Sequence, residues 1–223
     1  MTDYVFRKGE IEDINYFLVN VEKSFGIKFC KTELDHIVTY GELCDHIANK
    51  IQLDHSEDCT TQQAFYKLRN AISSKFGIDN KAISAGTPLV GLFPRYNRRA
   101  KITELERCLG FELNIFRPPH LVNMALLVLC LASLVGLYFN WQIGVLGFFS
   151  SIGGLVIAYK IGIEFEVQTV GELAKKMARE NYLKSRRNSK TFNKNEIEKV
   201  LTDWFSSDLG LDKSKLKREA KFA

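Results

Sequence analysis

Between residues 121 and 159 the chain contains no Asp, Glu, Lys, Arg or His. That absence excludes an ordinary solvated surface for this stretch. It also removes the ionisable side chains on which intramembrane transport or proton relay depends. Other absences narrow the chemistry further. The five cysteines, Cys30, Cys44, Cys59, Cys108 and Cys130, form no Cys-x-x-Cys pair and are odd in number. This argues against a disulfide framework and for reduced thiols. The histidines, His36, His46, His55 and His120, stand at no metal-ligand spacing with them. Cys44 and His46 are too close in sequence to share one helix face. There is no glycine-rich phosphate loop, and Gly86-Thr87-Pro88 reads as a turn. The net charge of +5 is modest, and no aromatic-basic RNA-binding motif accompanies it, so nucleic acid is not an expected partner. Met1-Thr2-Asp3-Tyr4 lacks the basic start and apolar run of a signal peptide, and none is expected. These absences leave no expected catalytic residue, metal or cofactor.

What is present in 121–159 is two apolar runs split once by Asn140-Trp141-Gln142. Residues 121–139 give 19 positions and residues 143–159 give 17. As helices they reach roughly 28 and 26 Å, close to the hydrocarbon thickness of a bilayer. The first run holds eleven Leu, Val or Phe against one polar Asn123. At very roughly −0.45 kcal/mol each, they favour insertion by about 5 kcal/mol. The second run is diluted by Gly and Ser and is weaker alone. The expectation is a transmembrane helical hairpin over 119–161. A buried hairpin in a soluble core is the alternative, and two charge-free runs back to back disfavour it.

Charge sets the orientation. The turn carries no Lys or Arg. The N-terminal flank carries Arg95, Arg98, Arg99, Lys101, Arg107 and Arg117, and the C-terminal flank carries Lys160, Lys175, Lys176, Arg179 and Lys184-Ser185-Arg186-Arg187. Cationic flanks stay on the cytoplasmic side, so both termini are expected in the cytoplasm of a two-span inner-membrane protein of bacterial type. Tyr138, Trp141 and Tyr159 suit the two interfaces. Arg95, Arg98, Arg99 and Lys101 are candidate contacts to anionic lipid or to a partner, each cation near such a surface contributing about 1 kcal/mol. An ordinary solvated face is the other reading of them. Small residues at Ala132-xxx-Gly136, Gly147-xxx-Ser151 and Ser150-xxx-Gly154 allow close helix packing, within the hairpin or between protomers of a homo-oligomer.

The soluble parts contain two kinds of element, each occurring twice. Gly26-Ile27-Lys28-Phe29 is followed by Thr39-Tyr40-Gly41-Glu42-Leu43, and Gly162-Ile163-Glu164-Phe165 by Thr169-Val170-Gly171-Glu172-Leu173. Each Thr can cap a helix with a Glu in its first turn. Apolar positions follow at helical spacing: Leu43, Ile47 and Ile51 in one, Leu173 and Met177 in the other. The second kind is a helix closed by glycine. Phe65, Leu68, Ile72 and Phe76 end at Gly77-Ile78-Asp79 with Ile83 beyond, and Ile197, Val200, Leu201 and Trp204 end at Gly210-Leu211-Asp212 with Leu216 beyond. Ile11, Ile14, Leu18 and Val21 mark a further core face. On that helix the acidic cluster Asp3, Glu10, Glu12 and Asp13 reads as the solvated side.

A helix ending Phe/Leu-Gly-Ile/Leu-Asp, an irregular loop, a middle helix ending Phe-Gly-Ile-x-Phe and a last helix opened by Thr-Val-Gly-Glu-Leu together resemble the acyl carrier protein family. The resemblance implies an all-α fold built of small four-helix bundles, with acyl chains carried on a phosphopantetheine arm. The order of pieces differs from the family. Residues 1–55 match the middle and last helices, to be completed by 192–223 in a circularly permuted bundle or by a partner subunit. Residues 60–118 match a first helix, loop and middle helix, with 101–109 ending at Gly110-Phe111-Glu112-Leu113, to be completed by 162–183. Residues 184–223 form a basic linker and the C-terminal helix. The family attaches its arm to a serine at the start of the middle helix. Here those places hold Glu10-Ile11-Glu12 and Pro94-Arg95-Tyr96-Asn97. Ser24 lies at the far end of its helix and Ser84 within the preceding loop.

The sequence therefore points to a degenerate, non-enzymatic, membrane-anchored binding or scaffold protein. Its expected partners are the lipid bilayer and a cytoplasmic protein, such as an enzyme of acyl-chain or envelope-lipid chemistry. The alternatives are a genuine carrier with an atypical attachment serine, and a small oligomeric membrane protein of pore or immunity type. Coexpression with a phosphopantetheinyl transferase decides the first alternative. The intact mass of the purified chain is expected to be unchanged, and a gain of one arm on any serine would restore the carrier.

Overall fold

The computed structural model describes residues 4–30 and 32–222. Asp3 of the acidic cluster lies outside them. The described chain is mostly helical and divides into two compact units, one of Met1–Ala85 with Gly171–Ala223 and one of Gly86–Val170. Its helices are α1 (Lys8–Phe25), α2 (Tyr40–Lys50), α3 (Thr60–Phe76), α4 (Leu89–Leu92), α5 (Arg98–Leu109), α6 (His120–Phe139), α7 (Trp141–Ile161), α8 (Val170–Glu180), α9 (Tyr182–Ser185) and α10 (Ile197–Asp208). Six two-residue strands form three pairs, which amends the all-α expectation. They are β1 (Val5–Phe6) parallel to β6 (Lys221–Phe222), β2 (Asp54–His55) parallel to β5 (Thr191–Phe192), and β3 (Phe116–Arg117) antiparallel to β4 (Glu164–Phe165). Two residues are too few to show an alternating pattern in sequence.

In the first unit, α1, α2 and α10 share one core. Ile14, Leu18 and Val21 of α1 meet Leu43 and Ile47 of α2 and Val200, Leu201 and Trp204 of α10 in one buried cluster. Trp204 lies edge-on to Phe17 at 4.9 Å, and its indole N–H donates to Asp208 Oδ2 at 2.9 Å, so its polar atom is satisfied while the ring stays dry. β1 and β6 bring the two ends of the chain side by side, with Phe6 stacked on Phe222 at 5.0 Å.

The helix punctuation follows local chemistry. Thr39 Oγ1 accepts the Glu42 N–H while the Glu42 carboxylate takes the Thr39 N–H, a complete capping box for α2. Gly26, Gly77 and Gly110 close α1, α3 and α5 at φ of 64°, 67° and 79°, a left-handed conformation that a Cβ would strain. Gly210 takes φ 65° two residues beyond α10.

The loop between α1 and α2 is pinned by Glu33. Its carboxylate receives Lys50, the Cys30 N–H at 2.8 Å and His46 Nε2 at 2.8 Å. The Lys50 ammonium foremost, then the Cys30 N–H, holds this carboxyl well below its ordinary 4.5, at about 2. A carboxyl held low in the folded state stabilises it fully above the ordinary value, and that stabilisation is lost as pH falls towards the folded one. Between pH 4.5 and about 2 the denaturation midpoint of the wild-type chain is therefore expected to fall. Glu33→Gln should fall less steeply over the same window, as followed by chemical denaturation in detergent. Parallel slopes would refute the role given to Glu33.

Candidate functional site

The second unit is built around the hairpin of α6 and α7, both long and apolar enough to cross a membrane. Within the most apolar 18 residues of each, only 6% and 17% are buried inside the protein. Leu127, Val128, Leu131, Leu134 and Val135 of α6, and Ile143, Leu146 and Phe149 of α7, face outward.

The turn is tighter than the sequence suggests. Only Asn140 is non-helical, and its Oδ1 accepts the N–H groups of Gln142 at 3.1 Å and Ile143 at 3.4 Å. Trp141 and Gln142 are thereby recruited into α7 by an N-cap. The helix contact runs through small residues. An added Cβ at Gly144 would lie 2.5 Å from the Leu137 backbone nitrogen, one at Gly147 2.4 Å from Ser133 Oγ, and one at Gly154 2.8 Å from Leu126 Cδ2. Gly136 faces the Cα of Gly144. Ser151 is fully buried. Residues 144, 147, 151, 154 and 158 thus recur at the three-four spacing that keeps one seam in contact. Ala132 is exposed, and its neighbour Ser133 takes the interface place expected of it. The seam hydroxyls are satisfied within their own helices: Ser133 Oγ donates to Leu129 O at 2.7 Å and Ser151 Oγ to Phe148 O at 2.8 Å.

The base of the hairpin is a stem. The chain entering α6 (β3) pairs with the chain leaving α7 (β4), in register Phe116 with Phe165 and Arg117 with Glu164, the two rings stacked at 5.8 Å. Gly162 makes this possible, since a Cβ there would lie 2.5 Å from the Arg117 carbonyl oxygen. Two arginines from the first turn of α5 lock the stem. Arg98, only 3% exposed, donates from Nε to Phe93 O at 2.9 Å and from Nη1 to Ile163 O at 2.7 Å, with its guanidinium 4.3 Å from the Phe165 ring centre. Burial lowers the Arg98 pKa, opposed by Glu164. Arg99 donates from Nε and Nη2 to Gly162 O at 3.1 and 2.8 Å, and from Nη2 to Lys160 O, and lies 5.1 Å from the Phe116 ring centre. The carbonyls at a helix C-terminus lack intrahelical partners. Here guanidinium groups supply them, and the cations also suit the negative end of the helix dipole.

The four basic candidates thus have different fates. Arg95 is exposed and bonded to Glu164. Arg98 is buried and unavailable to a lipid or partner surface. Arg99 is exposed but half committed to the stem. Lys101 is half-buried and has an interaction of its own. Nothing in the sequence distinguishes Arg98 from surface charge, because the carbonyls that receive it, Phe93 O and Ile163 O, are brought to it only by the fold.

A second polar cluster lies inside the first unit. Arg186, 1% exposed, donates from Nη1 to Thr60 Oγ1 at 2.5 Å and Asp58 O at 3.1 Å, and sits 3.5 Å from Glu196 Oε1. Glu196 also accepts from Thr60 and, at 2.7 Å, from Tyr182 Oη, which itself accepts the Asn193 N–H at 2.9 Å. Burial pushes the Tyr182 phenol above its ordinary value. This network joins the start of α3, α9 and the turn between β5 and α10. It does so with a permanently charged guanidinium and a phenol that stays protonated. Arg186 is therefore a buried structural cation rather than part of the surface basic flank.

Among the described residues no group of three or more His, Cys, Asp or Glu is placed to hold a metal ion. Cys44 is buried, and that burial raises its thiol to about 12, which makes it a poor thiolate nucleophile. No family model matches the chain, and no curated protein or solved structure matches it either.

The stem gives a direct test. Gly162→Ala is expected to destabilise the chain by about 1–3 kcal/mol, the usual cost of forcing atoms into a packed site. Gly153→Ala, where an added Cβ meets nothing within 4 Å, should be near neutral. Thermal melts of the two variants in one detergent check this, and equal melting temperatures would refute the close-approach argument.

Proposed function

We propose that this chain is a non-enzymatic binding protein anchored in a bacterial inner membrane by α6 and α7, with both ends in the cytoplasm. On this reading its soluble helices are degenerate acyl-carrier-like bundles that hold a cytoplasmic protein at the membrane. The observation that carries the anchor is the outward display of nearly every large apolar side chain of a charge-free hairpin. Left in water, so large an apolar surface would drive aggregation. In lipid it needs no cover, and its backbone groups are satisfied within the helices. Basic residues on both flanks and none in the turn support the orientation.

The binding half of the proposal rests on the first unit. On α1, Tyr16 is 88% exposed and Val19 stands one turn on, beside exposed Glu12 and Asp13. Nearby a cleft of about 160 Å³ is lined by Ile11, Leu18, Leu34, Ile37 and Phe222, with Asn15 and Asp35 also lining it. An apolar recess with acidic neighbours suits a partner segment that pairs an apolar side chain with Lys or Arg.

Two measurements test these halves. In cells with the native cysteines replaced by serine, Gln142→Cys should react with a membrane-impermeant maleimide from outside, and a cysteine restored at position 59 should not. Labelling of position 59 from outside would overturn the orientation. A photocrosslinking residue at Tyr16 should capture a protein other than this chain. Adducts only to a second copy would favour the oligomeric alternative instead.

A further inference from the structure

Acidic residues avoid one part of the first unit. Residues 60–76, which form α3, and residues 181–195, which run through α9 and β5, contain no Asp or Glu. Together they hold eight Lys or Arg, of which Arg186 is answered by Glu196 in the buried network. Where the two segments meet there is a cleft of about 260 Å³, lined by Gln63, Tyr66, Lys67 and Asn70 of α3 and by Ser185 and Arg187. No carboxylate lines it.

The walls of the cleft are held by the fold. Lys67 Nζ donates to Lys184 O, and the Arg187 backbone N–H donates to Gln63 Oε1 at 2.8 Å. Ser185 is fully buried and spends its hydroxyl proton on Met177 O at 2.9 Å. Tyr66 accepts Gln62 Nε2 at 3.3 Å and carries the Arg69 guanidinium 5.0 Å from its ring centre.

The cleft is therefore rich in donors with nothing to donate to. Lys67 keeps two ammonium protons beyond the one on Lys184 O. Burial of that ammonium pulls its pKa below the ordinary value, and no carboxylate opposes the shift. The Arg187 guanidinium and the Asn70 amide make no hydrogen bond among the described residues, and the Tyr66 hydroxyl proton is unspent. Two cations facing one recess repel each other until an anion sits between them.

Charge and donor count select the anion. A phosphomonoester carries about −1.5 to −2 charge at pH 7 and three strong acceptor oxygens, which matches two cations and the neutral donors beside them. A carboxylate has one charge and two oxygens. A phosphodiester, in nucleic acid or in most membrane lipids, also has one charge. The arginine fork can grip two phosphate oxygens at once, while the lysine acts as a point charge. The rim is unsuited to lipid, because Tyr66 is the only exposed large apolar side chain among the described residues of these two segments.

We propose that this cleft binds the terminal phosphate of a small soluble phosphomonoester, with Arg187 and Lys67 on its oxygens and Asn70 and Tyr66 donating to those that remain. The proposal is independent of the membrane reading of α6 and α7, since every residue of the site belongs to the first unit.

The test is calorimetric titration of the full chain at neutral pH, in maltoside detergent and a buffer free of phosphate and sulfate. Glycerol 3-phosphate is expected to bind saturably, one per chain, and about tenfold or more tighter than dimethyl phosphate or acetate, the scale of one charge-assisted hydrogen bond. Arg187→Gln should weaken it by about the same factor. Asn70→Asp keeps the shape of the side chain but puts a carboxylate in the cleft, and should abolish binding. Lys75→Gln removes one charge from α3 outside the cleft and should leave the affinity unchanged. All three positions are exposed, and melting curves matching wild type confirm that the variants fold. No saturable binding, equal affinity for the diester, equal losses in Lys75→Gln and Arg187→Gln, or binding that survives Asn70→Asp would each overturn the site. Phosphatidic acid added to the micelles should compete no better than glycerol 3-phosphate does. Binding of the lipid alone would overturn the assignment to a soluble ligand.

Discussion

The carbonyl groups at the end of α7 are the constraint on which the second unit depends. A helix that stops leaves its last C=O groups without partners, and leaving them dry and unpaired costs free energy. Arg99 reaches Lys160 O and Gly162 O, and Arg98 reaches Ile163 O just beyond. Both guanidinium groups also lie on the rings of the β3–β4 pair, so their planes pack as well as donate. Lysine could not serve both purposes at once, because a point charge has no flat face to stack. The hairpin thus ends in a hydrogen-bonded stem, and its two helices leave α5 as a fixed post.

The first unit solves a different problem. Its core is assembled from segments at opposite ends of the chain, with α10 packed against α1 and α2 and the ends zipped by β1 and β6. Closing so long a loop costs entropy that grows only with the logarithm of its length. Large buried rings, Trp204, Phe205, Tyr40 and Phe25 among them, supply the opposing term. The Arg186–Glu196–Tyr182 network adds direction to that burial. It is satisfied at nearly every polar atom, and removing one member would strand the others, so it favours one arrangement of α3, α9 and α10 over looser ones.

What was legible in the sequence was whatever local chemistry decides. Glycine alone tolerates a left-handed helix end, so Gly26, Gly77 and Gly110 marked the closures of α1, α3 and α5. Thr39 and Glu42 announced the start of α2 through a reciprocal cap. The charge-free runs located α6 and α7 within a few residues. The missed features depend on contacts distant in sequence. The small residues of α6 could put either Ala132 or Ser133 on the seam, and only the packing against Gly147 selects Ser133. Arg98 carries the same composition signal as Arg95, yet Phe93 O and Ile163 O draw it inside. Asn140 looked like one residue of a three-residue turn, because its capping bonds to Gln142 and Ile143 appear only once the helix has formed.

The buried arginines also bear on what kind of anchor the proposed membrane hairpin would make. A hairpin on a flexible linker would keep its passenger near a membrane without orienting it. Here the chain entering and the chain leaving the hairpin are held in register, Gly162 permits backbone contact closer than any side chain allows, and two guanidinium groups fix the helix end. A desolvated arginine destabilises a fold unless it finds acceptors, and Arg98 donates from Nε to Phe93 O just before α5 and from Nη1 to Ile163 O, which the hairpin's exit segment supplies. Stem and α5 are therefore mutually dependent. Detaching α5 would leave those carbonyls bare, and removing the hairpin's exit segment would leave Arg98 buried beside fewer acceptors. Within the second unit such dependence fixes α5 relative to the hairpin. It suits the proposed anchor, in which α5 would hold one direction relative to the two spans.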